Sequence, residues 1–532
     1  MQDEDLSAFA DLSPFELKDK LISIATTESQ KVMLNAGRGN PNFLATQPRR
    51  AFLRLGEFAI QEAERAYLYL NSGFGGLPER DGMVERFEIY AGQCPNCEGI
   101  RFLRAAISYV RDQLNLQRED FLFEMVGAFL GCNYPVPPRM LTHAEEIVGA
   151  YIGQEMFGSL PKSGKYSLFA TEGGTAAMTY IFQSLKVNGL IDASDKVALG
   201  TPIFSPYLEI PPLPEYAMEV VDIRMDEDND WQFPESEIRK LEDPSIKVFC
   251  LVNPSTPPSY KLSDACLDQL AELINSKRRD LIVVTDDVYG TFADDFVSLF
   301  ARCPYNTLCV YSFSKYFGAT GWRLGVIGLH QDNVVDDTII KLPAKEKKRL
   351  DKRYSSLTTD IAGLKFIDRL VADSRAVALN HTAGLSVPQQ AQMTLFALHG
   401  LMDIDSRYKD AAKHLIRHRY RTLCQHMGIE PRSGPNDVNY YDLIDLQKLG
   451  AQLYGKAFAS WFAEAGRGTD FLFRLARETG VVLLPGKGFE VVDASVRVSL
   501  ANLTEAQYAA IGEFSRRVLD ELHQEFQGGQ ES

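Results

Sequence analysis

Through the middle of the chain, short apolar runs rich in β-branched and aromatic residues alternate with amphipathic stretches. KVFCLVNP, LIVVTDDVYG, TLCVYSFSK and RLGVIGLH are the clearest strands. Between the first two lies LSDACLDQLAELINSKRRD, where Leu267, Leu270, Leu273 and Ile274 recur at helical spacing and Ser263 with Asp264 supplies a start signal. That succession is a βαβ unit, and its repetition predicts an α/β fold: a mainly parallel sheet with helices on both faces. Farther on, glycines and a proline punctuate GVVLLPGKGF, and ASVRVSLANL alternates like a half-buried strand. We expect a large domain over residues 131–385 with a helical insertion at about 335–380, and a smaller α+β domain over 386–532. Residues 1–130 form an N-terminal extension and contribute part of the small domain. The insertion, KLPAKEKKRLDKRYSSLTTDIAGLKFIDRLVADSRAVAL, suits either a solvated helical face or an oligomer contact. Only the tail QGGQES reads as disordered.

Composition narrows the function classes. The 532 residues suffice for two or more domains, and 45% hydrophobic with 24% charged residues is ordinary for a globular protein. Lys+Arg 56 against Asp+Glu 71 leaves −15, which argues against a nucleic-acid or anionic-membrane partner while leaving room for a local anion pocket. The start, MQDEDLSAFADLSPFELKDK, carries acids where a secretory signal carries lysine, and no apolar run approaches a membrane span. The expected location is the cytoplasm. Of eight cysteines, Cys250 and Cys309 sit inside strand-like runs as small hydrophobes. Cys94 and Cys97 form a CxxC with no second pair at zinc-like spacing, so they read as incidental loop thiols and no metal is expected.

Each strand ends in a polar cluster, and in open parallel sheets ligands sit beyond the carboxyl ends of strands. SFSKYFGATGWRLG places Lys315 among hydroxyls, glycines and aromatics with no acid nearby. Either Lys315 lies on a loop with its ammonium in water, or its amine forms a Schiff base with an aldehyde. In YSLFATEGGTAAMTYIFQSL, the backbone N–H groups of Gly173, Gly174 and Thr175 can face an anion at a helix start, although a plain cap uses the same residues. After a strand, FSPY offers Phe204 or Tyr207 to stack on a flat ring. Asn253 in VNPSTPPS closes another strand. In TDDVYGTF, Asp286 would stand at the sheet edge wanting a cation such as a pyridinium, with Tyr289 beside it; helix capping is the alternative for Asp286 or Asp287. Ser312, Ser314 and Arg323 supply hydroxyl and guanidinium groups suited to a phosphate.

In this order EGGT, NPSTPP, TDDVYGTF, SFSKYFGATGWRLG and VRVSLAN resemble the fold type I pyridoxal-phosphate enzymes, close to the aspartate aminotransferases, over roughly residues 130 to 505. The resemblance implies pyridoxal 5′-phosphate as cofactor, Lys315 as its Schiff-base lysine, Asp286 against the pyridine nitrogen, and Tyr289 and Asn253 at the ring's phenolic oxygen. It also implies Gly174, Thr175, Ser312, Ser314 and Arg323 around the phosphate and Arg497 on the substrate α-carboxylate. NAGRGNPNF, GCNYPVPPRMLTHAEEIVGAYI, the charged insertion and NHTAGLSVPQQAQ, together with the overall length, are similar to the aspartate 4-decarboxylase family. That similarity implies conversion of L-aspartate to L-alanine and carbon dioxide, a secondary aminotransferase activity, and a homo-oligomer of dimers, expected to be a dodecamer. It further suggests Arg38 guiding the dicarboxylate, Tyr134 reaching the phosphate from a neighbouring subunit, and Thr382 lining the pocket. An aspartate aminotransferase without significant decarboxylation is the alternative, and a regulatory cofactor-binding scaffold is a second. A nicotinamide-binding protein would need GxGxxG after a strand.

Overall fold

The structure is a computed structural model describing residues 14–71, 73–161, 164–375, 384–464, 467–489, 491 and 494–530. Its strands, in chain order, are β1 (Leu34–Asn35), β2 (Tyr166–Thr171), β3 (Lys196–Thr201), β4 (Glu219–Arg224), β5 (Ile246–Val252), β6 (Ile282–Asp286), β7 (Thr307–Ser312), β8 (Gly325–His330), β9 (Tyr441–Asp445), β10 (Val481–Val482), β11 (Leu484–Pro485) and β12 (Ser495–Ser499). Seven of them form one sheet in the order β2-β8-β7-β6-β5-β3-β4. Only β8 runs against the others, so β2, β7, β6, β5 and β3 all end at the same edge.

The apolar runs follow from burial on both faces. Along β5, Val248, Cys250 and Val252 enter the same core as Met178, Ile181 and Leu185 of the helix Gly174–Val187. The alternate residues Phe249 and Leu251 enter a second core with Leu267 and Leu270 of the helix Asp264–Lys277. Each such side chain contributes roughly 1.5–3 kcal/mol through removal from water. Ser263 caps the latter helix, its hydroxyl accepting from the Cys266 N–H at 3.2 Å.

The strands β11-β12-β9 form a separate antiparallel sheet, and β1 pairs in parallel with β10, which ties the N-terminal segment to the chain's end. The helices Arg407–Met427 and Glu505–Gln530 share the core of this part through Ile416, Leu423, Ile511 and Leu519. Over the charged insertion, the helix Ala344–Tyr354 turns Leu350 and Tyr354 inward, and Tyr354 Oη donates to the buried Asp373 at 2.7 Å.

Three expectations change. The alternation in ASVRVSLANL predicted a half-buried strand, yet all five residues of β12 are buried, because β12 is the middle strand of its sheet and Arg497 is covered by aromatic rings. Gln527–Gln530 of the tail continue the last helix. Cys94 and Cys97 form a disulfide across the turn between the helices Met83–Gly92 and Glu98–Asp112, which brings the thiols together. Cys250 and Cys309 are buried free thiols. Among the described residues no helix is long and apolar enough to cross a membrane, and no group of three His, Cys, Asp or Glu could hold a metal.

Candidate active site

At the common edge of the parallel strands lies a cavity of about 410 Å³, lined among others by Gly174, Thr175, Phe204, Asp286, Tyr289, Ser312, Ser314, Lys315 and Arg323. Each reaches it by the same device, a turn at a strand's carboxyl end. Asp286 is the last residue of β6 and Ser312 the last of β7, while Gly174 opens the helix that follows β2. Gly173 has φ +95°, a region other residues rarely adopt, and a Cβ there would lie 2.4 Å from Arg323 Nη2. The close approach holds the Arg323 guanidinium against the helix N-terminus, where unpaired N–H groups favour an anion. Ser312 Oγ donates to Ser314 Oγ at 2.9 Å.

Asp286 is only 8% exposed, and its carboxylate accepts from Tyr207 Oη at 2.9 Å and the Val288 N–H at 3.2 Å. Burial pushes its carboxyl up to about 6, against the pull of these two hydrogen bonds and the Lys315 charge. Its neighbour Asp287 turns away from the cavity, accepting from Thr285 Oγ1 at 2.7 Å and Ser298 Oγ at 2.5 Å. Asn253 is fully buried behind the cavity wall; its Oδ1 accepts from the Leu262 N–H at 3.0 Å, and its Nδ2 has no partner.

Opposite Asp286, Lys315 Nζ donates to the carbonyl of Gly39 at 3.0 Å, a carbonyl that Tyr440 Oη also reaches at 2.9 Å. Tyr289 Oη and Tyr441 Oη lie 2.9 Å apart. Arg497, 5% exposed, is held between the rings of Tyr441 and Phe489, 4.4 and 4.8 Å from their centroids. Its Nη2 donates to the Gly37 carbonyl at 2.9 Å, and its Nε is buried without a partner. A guanidinium so placed wants an anion from outside the chain. Arg38 and Lys18 line the same cavity, Arg38 with its side chain exposed.

The structure thus brings Arg38, Gly174, Thr175, Phe204, Asp286, Tyr289, Ser312, Ser314, Lys315, Arg323 and Arg497 around one space, with Gly173 against Arg323 and the buried Asn253 next in the chain to the lining Val252. Tyr134 is 71% exposed and does not line this cavity, and Thr382 lies outside the described residues. Of the two aromatics in FSPY, Phe204 lines the cavity and Tyr207 serves Asp286 as a hydrogen-bond donor. Sequence reasoning missed Tyr440, Tyr441, Lys18 and Gly39. The doublet in VNYYDLIDL marks a strand start and nothing more until β9 is set beside Lys315.

A family model described as aminotransferase class I and II matches residues 137–513. A bifunctional aspartate aminotransferase and L-aspartate beta-decarboxylase from Pseudomonas sp is 56% identical over 523 residues, covering 98% of each chain. The chain belongs to the class I and II aminotransferases, alongside that bifunctional protein. The aspartate aminotransferase of Pyrococcus abyssi is 27% identical over 146 residues that span 26% of this chain and 36% of that protein. The structure of aspartate aminotransferase from Thermus thermophilus with maleate superposes with a TM-score of 0.58 at 16% identity, covering 97% of this chain and 99% of that one, which shows the shared fold.

Class I and II aminotransferases work with pyridoxal 5′-phosphate. The residues present fit that group. A buried carboxylate with no bonded protein cation suits a protonated ring nitrogen, and the orphaned Asn253 Nδ2 suits a ring oxygen. The glycine turn at Gly173, the helix N-terminus, two serines and Arg323 make a cradle for a phosphate.

Proposed function

We propose that this chain converts L-aspartate to L-alanine and carbon dioxide by β-decarboxylation, with aspartate transamination as its secondary activity. The observation that carries this is full-length similarity to a bifunctional decarboxylase together with a cavity that pairs Lys315 with the buried, acid-free Arg497. Asp286, Asn253 and Tyr289 would hold the cofactor ring, and Gly173, Gly174, Thr175, Ser312, Ser314 and Arg323 its phosphate. Bound pyridoxal phosphate supplies an electron-withdrawing ring conjugated to the substrate nitrogen.

The protein's own groups then do the orienting and the proton transfers. Arg497, fixed between two rings, grips the α-carboxylate in a bidentate pairing and so aims the Cα–H bond. Lys315 Nζ takes the proton from Cα and later returns one there. The distal carboxylate leaves as carbon dioxide, its electron pair stays toward Cβ, and a proton added at Cβ completes the methyl group of alanine. A guanidinium locked onto that carboxylate would stabilise the charge that must disperse. Arg38 has an exposed side chain at the cavity mouth, which supports guidance of the dicarboxylate rather than a firm clamp. We expect Arg38→Ala to change both the affinity for aspartate and the ratio of alanine to oxaloacetate; a variant unaltered in both measurements would remove Arg38 from this role.

Tyr134, exposed on its own chain, is proposed to reach a neighbour's phosphate, while the expected pocket residue Thr382 lies outside the described residues. The proposed homo-oligomer of dimers, a dodecamer, would cover an exposed apolar segment in which Leu68 is 77% and Tyr69 80% exposed. The deciding experiment supplies aspartate alone to the loaded enzyme. Sustained formation of equal amounts of alanine and carbon dioxide is expected, whereas turnover that requires an oxo acid and releases no carbon dioxide would leave an aspartate aminotransferase.

A further inference from the structure

Tyr441 has a place in the cavity that no cofactor- or substrate-holding role accounts for. It begins β9, its phenol oxygen lies 2.9 Å from that of Tyr289, and the face of its ring carries the Arg497 guanidinium at 4.4 Å. The chain approaches it closely from the N-terminal segment: a Cβ on Gly39 would meet the phenol oxygen and would lie 3.1 Å from Lys315 Nζ, so the glycine leaves room for the oxygen and the amine to share one corner. We propose that Tyr441 is a positioning residue for Lys315, its phenol oxygen holding the lysine nitrogen and its proton on the side of the cavity where Arg497 receives the substrate.

The surroundings give that oxygen an unusual character. Burial raises the Tyr441 phenol, but the nearby charges of Lys315 and Arg497 and the hydrogen bond from Tyr289 outweigh it and leave the phenol below its ordinary value. The other groups facing it differ. Tyr289 and Tyr440 are both pushed well above the ordinary phenol range, burial being the largest cause in each case. Of this tyrosine trio, therefore, Tyr441 is the one suited to carry negative charge. An oxygen of that kind favours a protonated nitrogen at Lys315 and accepts its proton when the nitrogen must act as a base, with no bond made or broken other than the N–H and O–H. The ring face keeps the Arg497 plane in register with the same corner.

This role presupposes Lys315 as the cofactor lysine, so the experiment reads the two separately. Tyr441→Phe keeps the ring on Arg497 and removes only the oxygen. In the loaded variant, borohydride should still fix the label on Lys315, while the pH midpoint of the visible absorbance should fall by about one unit, a tenfold loss of proton affinity at the lysine nitrogen. The pH profile for rebinding pyridoxal phosphate to the stripped protein should move as well. A label on Lys315 with an unmoved midpoint and an unmoved rebinding profile would overturn the role of Tyr441; a label elsewhere would overturn the lysine assignment instead. Should the variant fail to fold, tyrosinate absorbance of the stripped wild-type protein decides, since one phenol should ionise below the others and a single common transition would refute the proposal.

Discussion

Asp286 and Asp287 are chemically identical neighbours in TDD, and the chain alone leaves either free to cap or to bind. The alternation of side chains at the end of β6 sends one into the cavity and the other into a buried nest of Thr285, Ser298 and Cys309. Burial raises Asp287 to about 7 against the hydrogen bonds from Ser298 and Thr285, with Asp286 adding a like charge. Between the ordinary carboxylate range and about 7, the folded protein holds a proton there that the unfolded chain has released, so folding stability falls as pH rises through that window. Asp286 acts in the same direction up to about 6. We expect Asp287→Asn to flatten the fall in melting temperature between acid and neutral pH, removing at most on the order of 4 kcal/mol of pH-dependent stability. A slope equal to that of the wild type, measured by scanning calorimetry, would show that the carboxyl stays ionised throughout.

At the level of the element, the βαβ unit was legible because its apolar spacing and its Ser263 cap are local properties that survive in the fold. The glycine turn after β2 was legible as a helix start but not as a socket for Arg323, since the two meet only when β8 brings residue 323 beside β2. Gly173→Ala is expected to cost about 1–3 kcal/mol in backbone strain and to displace that guanidinium. Titration of the stripped variant with pyridoxal phosphate should then show at least tenfold weaker binding than wild type, with the far-ultraviolet spectrum preserved. Unchanged affinity would mean that the phosphate cradle does not depend on this turn. β12 marks the opposite outcome: its alternation suggested one wet face, and the neighbouring strands, with Phe489 and Tyr441 over Arg497, buried both.

At the scale of the whole molecule, Leu68 and Tyr69 stand exposed beyond the helix Thr46–Arg65, with Phe74 and Leu77 exposed a few residues on. An assembly that covers them gains from the removal of apolar surface, roughly 25 cal/mol per Å². Leu68→Asp combined with Tyr69→Asp should shift the particle mass toward smaller oligomers by light scattering, and an unaltered mass would place the assembly contact elsewhere. The sequence by itself determined the α/β class and marked a candidate lysine, a pair of candidate aspartates and the phosphate-suited residues, because each belongs to a short motif whose chemistry is written in neighbouring positions. Only the tertiary structure decided which aspartate faces the cavity, that Tyr441 stands beside Lys315, and that Gly39 and Arg497, 458 residues apart in number, border one space. Those arrangements depend on strand order and on closure across the chain's two ends, and contacts between residues so far apart leave no periodic signal in the residues that make them.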